Sequence, residues 1–262
     1  MLKKVLGALA LTVLVAVSAV AQTTGSKPLG AVVAADPGAA QTADAVIAKN
    51  QEAQGGLAKL KAVQSVRMTG KMTIGPGMDA PIVLEMTRPK QMRIDIAVQG
   101  MTISQAYDGT TGWMINPMSG RTEPEALPSE MLKLVDEQAD MDGPLMDYKA
   151  KGNTVELLGT EKAEGADCYK LKITLKNGDV RTLYIDKDSY LLVKQESKTM
   201  MRGSEQLGDT IVGDYKEVSG LIMAHSIDTG QAGQPVRQKM TIDKIEVNVP
   251  IDDARFKMPV KK

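Results

Sequence analysis

From residue 66 onward, apolar and polar residues alternate with a period of two. Val66, Met68, Gly70, Met72 and Ile74 share one face of an extended segment, with Arg67, Thr69, Lys71 and Thr73 on the other. Gly75-Pro76-Gly77 turns the chain; Ile82, Leu84 and Met86 resume the inward phase, and Arg88 falls in step with them. After Pro89, Met92, Ile94, Ile96 and Val98 alternate with Arg93, Asp95 and Ala97. Met101 and Ile103 continue the series after Gly100, and Trp113 and Ile115 follow the Asp108-Gly109 turn. Successive hairpins with one polar face predict an antiparallel sheet wetted on its outer side.

Ahead of the sheet, Thr42 can cap a helix over residues 43–53, with Ala43, Val46, Ile47, Asn50 and Ala53 on one face and Gly55-Gly56 ending it. A short helical piece over 57–62 leads into the first strand. The alternation breaks at Leu127-Pro128-Ser129, where Met131, Leu132, Leu134 and Val135 predict a helix over 130–139. Gly143-Pro144 opens a second short helical piece carrying Leu145, Met146 and Tyr148, because proline suits the first helical turn. Such an insertion must bury its apolar side, and the inner face of the sheet is the nearest place. From Val155 the hairpins resume, around Gly165, around residues 186–189 and around Ser219-Gly220, with a last strand over 239–249. No internal linker interrupts residues 42–262, which read as one domain.

Lys3 and Lys4, an apolar run over 5–17 and Ala19-Val20-Ala21 predict an export signal over 1–21, cleaved before Gln22. The run falls short of the roughly 20 residues a membrane span needs. Residues 22–41 are small, Gly/Pro/Ala-rich and aperiodic, and read as a flexible leader. The signal removes two lysines, leaving 30 basic and 32 acidic residues, with no electrostatic footprint for nucleic acid. Cys168 stands alone, so the fold depends on a packed core rather than an internal disulfide. Aromatics are only 3% of the chain while methionine reaches 17 residues. The unbranched thioether replaces rings as core filler and can repack around ligands of irregular shape.

Candidate chemistry is sparse. The single histidine, His225, shares a strand face with Leu221, Met223 and Ile227 and reads as a hydrogen-bonded core or rim residue. Cys168, between Asp167 and Tyr169 on a strand, has no local feature to activate a thiolate. Met223, His225 and Met200-Met201 supply soft donors, but their spacing is what any methionine-rich chain produces, and no metal site is assigned. No glycine-rich phosphate loop occurs, and neither a cofactor nor catalytic residues are expected. Arg88 differs. Its phase points it into the apolar face, where a buried cation needs a partner, such as carbonyls at the ends of the inserted helices. Snorkelling to solvent at the strand end is the equal alternative.

Arg88-Pro89, Met92-Arg93, Asp108-Gly109, Trp113 and Asn116-Pro117 together resemble the RP…F/R…DG…lW.Y.P block of the LolA-like outer-membrane lipoprotein-sorting family. Asp253-Ala254-Arg255-Phe256 with Met258-Pro259 resembles that family's A-x-F-x-F-x-P ending. The resemblance spans roughly residues 43–260 and implies a mainly β (α+β) fold: a single antiparallel sheet curved into an unclosed barrel, with an N-terminal helix and short helices covering an apolar cavity. It implies a ligand cavity lined by Val66, Met68, Met72, Ile82, Leu84, Met86, Met92, Ile94, Ile96 and Trp113, with Met92 where the family has an aromatic. It implies a lid carrying Met131, Leu132, Leu134, Val135, Leu145 and Met146, and makes Arg88 the latch that contacts it. The implied function is that of a monomeric periplasmic carrier. It would bind acyl chains of lipoproteins or another lipid, taking them from an inner-membrane donor to an outer-membrane acceptor. An envelope sensor that signals through a partner protein is the second reading of the same fold, with the leader as its pointer. The leader and the methionine content depart from the family pattern.

Overall fold

The computed structural model describes residues 41–260 apart from positions 76, 202, 233 and 235. The expected signal, the leader up to residue 40 and the middle residue of the Gly75-Pro76-Gly77 turn lie outside the described residues. Helix α1 spans Ala43–Ala53, as its apolar spacing predicts, and Thr42 caps it by accepting a hydrogen bond from the Ala45 amide. Val46, Ile47 and Asn50 form its buried face. Gly55 and Gly56, both at positive φ, separate it from α2, Leu57–Ala62.

Six strands follow in hairpin succession: β1 (Ser65–Gly75), β2 (Met78–Thr87), β3 (Gln91–Val98), β4 (Met101–Tyr107), β5 (Gly112–Asn116) and β6 (Arg121–Ala126). Helix α3 (Ser129–Gln138) comes next, then consecutive turns over 139–152. Seven more strands complete the fold: β7 (Thr154–Ala163), β8 (Ala166–Thr174), β9 (Val180–Asp186), β10 (Leu192–Met201), β11 (Ser204–Val218), β12 (Leu221–Gln231) and β13 (Arg237–Val247). They build one 13-stranded antiparallel sheet in the order β6-β5-β4-β3-β2-β1-β13-β12-β11-β10-β9-β8-β7. The sheet is curved but not closed, with β6 and β7 as its free edges.

This order has one topological consequence. Neighbouring strands are hairpin partners except β1 and β13, so residues 127–153 alone must carry the chain from one edge of the sheet to the other. They cross its concave face, and Leu127, Val135, Ala139, Met141 and Met146 join the sheet's main core there. We call α3 and residues 139–152 the cover.

The alternation predicted for β1 to β3 is observed, with Met92, Ile94, Ile96 and Val98 buried along β3. Gly70 sits where the register of β1 against β13 shifts; a Cβ there would lie 2.0 Å from the Thr241 carbonyl oxygen, so no side chain fits. Two expectations are corrected, and one strand carries no sequence signal. Residues 143–148 form turns rather than a helix, because Gly143 (φ 61°) and Asp147 (φ 52°) leave the right-handed helical region. β6 carries no apolar alternation to predict it; its Pro124 and charged residues suit an edge strand. Met101 opens β4 exposed rather than inward-facing.

Candidate ligand-binding face

Register assigns each side chain to a face. Met68, Leu84, Ile94, Gln105 and Met114 lie opposite one another across β1 to β5 and form one concave row. Val66, Met68, Met72, Ile82, Leu84, Met86, Met92, Ile94 and Ile96 are all buried there, in one cluster with the cover. The cover fills this half of the face. Val135 and Met146 are buried against it, and Met131 and Leu132 pack on its margin. Leu145 instead joins the cluster formed around α1, Leu171, Leu183 and Ile185, while Leu134 is half-buried and belongs to none of the core clusters.

Trp113 does not line this face. It pairs with Ala106, which pairs with Arg93, which pairs with Glu85, and that row lies on the opposite side of the sheet. Trp113 is buried there beneath the C-terminal segment, donating from Nε1 to the Phe256 carbonyl oxygen at 2.8 Å, with the Arg93 guanidinium over its ring. Arg255 beside it pairs with Glu85, itself buried and also bonded to Arg67. Trp113 and Arg93 from the first half of the resemblance thus meet Arg255 and Phe256 from the second on the convex face, where they tie the C-terminal segment to the sheet.

Arg88 has the partners its inward phase demands. Its guanidinium grips Asp142 through two bonds, Nη1 to Oδ2 at 2.9 Å and Nη2 to Oδ1 at 2.5 Å. It also donates to the Val63 and Leu60 carbonyl oxygens at the end of α2. The carbonyls therefore belong to α2, and the cover contributes a carboxylate instead. The bond to Arg88 holds the Asp142 carboxyl below its ordinary pKa, against an opposing push from burial. Two further contacts fasten α3. Asp136 accepts from Lys90 at 2.8 Å and from the Tyr107 hydroxyl at 3.0 Å. Glu137 receives a two-pronged contact from Arg181 of β9, at 2.8 and 2.6 Å.

Beside Arg88, the cover leaves a pocket of about 90 Å³ against β9 and β10. Leu183, Ile185 and Leu192 form its floor, Leu145 and Met146 its roof, and Asn50 and Gln195 stand on its polar side. None of the residues expected to line the cavity borders it; of the expected lid and latch, Leu145, Met146 and Arg88 do. Small-molecule sites usually measure ~300–1,000 Å³, so this pocket is too small to hold an acyl chain as it stands. His225 is buried, with Nδ1 2.9 Å from the Met223 carbonyl oxygen, and Cys168 is fully buried, its thiol pKa raised chiefly by burial. Among the described residues, no group of three or more His, Cys, Asp or Glu is placed to hold a metal ion.

A family model described as "Uncharacterized protein" matches residues 96–259. The chain belongs to that family. Its fold is LolA-like. A LolA superfamily protein from Nitrosomonas europaea superposes with a TM-score of 0.55 at 13% identity, over 83% of this chain and 98% of the other. A DUF1329 family protein from Desulfovibrio piger gives 0.54 at 14% identity, over 82% and 96%. Identity this low shows shared architecture alone. No curated protein matches the chain.

Within that architecture, sequence reasoning missed Asp142, Glu137, Arg181 and the floor of the pocket. Asp142 and Glu137 sit among several acids with no periodicity to single them out. Arg181 was findable: it shares a face of β9 with Leu183 and Ile185, as Arg88, just past the end of β2, keeps the phase of Leu84 and Met86.

Proposed function

We propose that this chain is an exported carrier that takes up an acyl chain, from a lipoprotein or another lipid, between the concave face and a cover that lifts. One observation carries the reading: the segment that joins the two edge strands lies across an apolar concave face and is fastened to the sheet by side-chain ion pairs, not by strand pairing. Such contacts can be exchanged without unzipping the sheet. An acyl chain gains roughly 0.8 kcal/mol for each methylene removed from water, and the unbranched Met141 and Met146 of the cover can repack around it. The resemblance of the Arg88 and Trp113 block to lipoprotein-sorting proteins supports the same reading, as does the LolA superfamily name of the Nitrosomonas protein. Binding is favoured over catalysis because His225 and Cys168 are both buried in packed surroundings. Native mass spectrometry of protein purified gently from the cell envelope tests the proposal. A co-purifying lipid or acylated peptide, or uptake of one offered lipid per chain, is the expected result. A clean apo mass that persists when lipids are offered would overturn it.

A further inference from the structure

Arg181 is a buried cation on the ligand-facing side of the sheet, with 4% of its side chain exposed. It shares one face of β9 with Leu183 and Ile185, which floor the pocket. The sheet itself fixes one arm of the guanidinium: Nη1 donates to the Val180 carbonyl oxygen at 3.0 Å and to Thr199 Oγ1 at 3.1 Å. The remaining edge, Nε and Nη2, forms the planar fork that matches a carboxylate, and Glu137 fills it with both oxygens. Glu137 belongs to α3 and also borders the pocket. Lifting the cover therefore removes the fork's occupant and joins the fork to an apolar trough floored by Leu183, Ile185 and Leu192.

We infer that Glu137 stands in for the head group of the natural ligand, and that Arg181 receives the carboxylate of a single-chain anionic amphiphile whose tail lies along β9 and β10. This rests on the apolar-ligand reading above and adds the class of its head group. Exchanging one carboxylate for another conserves both charge and hydrogen bonds. A neutral ligand would leave the buried fork without a bidentate partner, with Asp179 no nearer than 3.9 Å from Nη2. Arg181 so discriminates by head group while the trough discriminates by chain.

The test compares a long-chain fatty acid, the fatty alcohol of equal length, and acetate, titrated against the full chain well above the carboxyl pKa. The acid is expected to bind about tenfold more tightly than the alcohol, and acetate not to compete. Glu137→Gln weakens the internal competitor, so it should tighten the acid by about tenfold and the alcohol less. Arg181→Gln should bring acid and alcohol to equal affinity; if that variant does not fold, the wild-type and Glu137→Gln comparisons decide alone. Equal affinities for acid and alcohol in both proteins would overturn the head-group assignment and leave apolar binding standing. Acetate displacing the acid would make the fork a free-anion site and also overturn it. Binding of neither amphiphile would overturn this inference together with the carrier reading.

Discussion

The two halves of the concave face share an apolar character and differ in what the cover does to them. Across β1 to β5, methionine and isoleucine rows meet Val135, Ala139 and Met141 in one buried cluster, so this half behaves as a core. Across β9 and β10, leucine and isoleucine meet Leu145 and Met146 with space left over, beside polar side chains such as Gln195. Gln138, which borders that space, keeps a buried Oε1 without a hydrogen-bond partner. Each half has its own clasp, Arg88 to Asp142 in one and Arg181 to Glu137 in the other. Apolar patterning thus marks a surface that must be covered; the fit of the cover decides where space remains.

The largest effect that separates the halves is a pair of truncations. Leu84→Ala removes a side chain 1% exposed in the filled half and should cost ~2–5 kcal/mol of stability. Leu145→Ala trims a half-buried roof residue and should cost under ~1 kcal/mol. Equal shifts in denaturant midpoint would erase the contrast. Next comes the clasp: Arg88→Leu should loosen the closed cover by about 1–3 kcal/mol, a discounted figure because both partners keep about a fifth of their side-chain surface in water. Amide exchange over residues 139–152 should accelerate while β3 stays protected; uniform exchange would refute a separable cover.

Acid should act on the same clasp more gradually. The Asp142 carboxyl is held below its ordinary pKa of 3.8 by Arg88, so its contribution is complete above that value and fades as pH falls below it. Exchange from the cover should therefore be insensitive to this group at neutral pH and rise in strong acid, and Asp142→Asn should remove that dependence. The smallest expected effect is none. Trp113 is buried on the convex face under Phe256, so its fluorescence should not respond to an acyl ligand. A ligand-dependent shift in its emission would place the binding event on the wrong side of the sheet.

How legible these features were depended on the range of the interactions that produce them. Alternation along β1, β2 and β3 and the cap at Thr42 are local, and both were readable in the chain. Trp113 was misassigned because its face depends on register: the Asp108 turn pairs Tyr107 with Gly112, which puts Trp113 opposite Ala106. The piece after Pro144 looked helical until the positive φ of Asp147 is considered, and no residue type announces that. Arg88 was singled out by phase, but its carboxylate partner lies 54 residues away in a segment without strand periodicity. The pocket is the least legible feature, being what remains after distant elements pack.

One measurement tests the central claim most directly: native mass spectrometry of the wild-type chain and Leu145→Asp, each offered the same long-chain acyl lipid. The account predicts one lipid per wild-type chain and none on Leu145→Asp, with both proteins folded. A folded variant that binds as the wild type does, or a wild-type chain that takes no lipid, would contradict it.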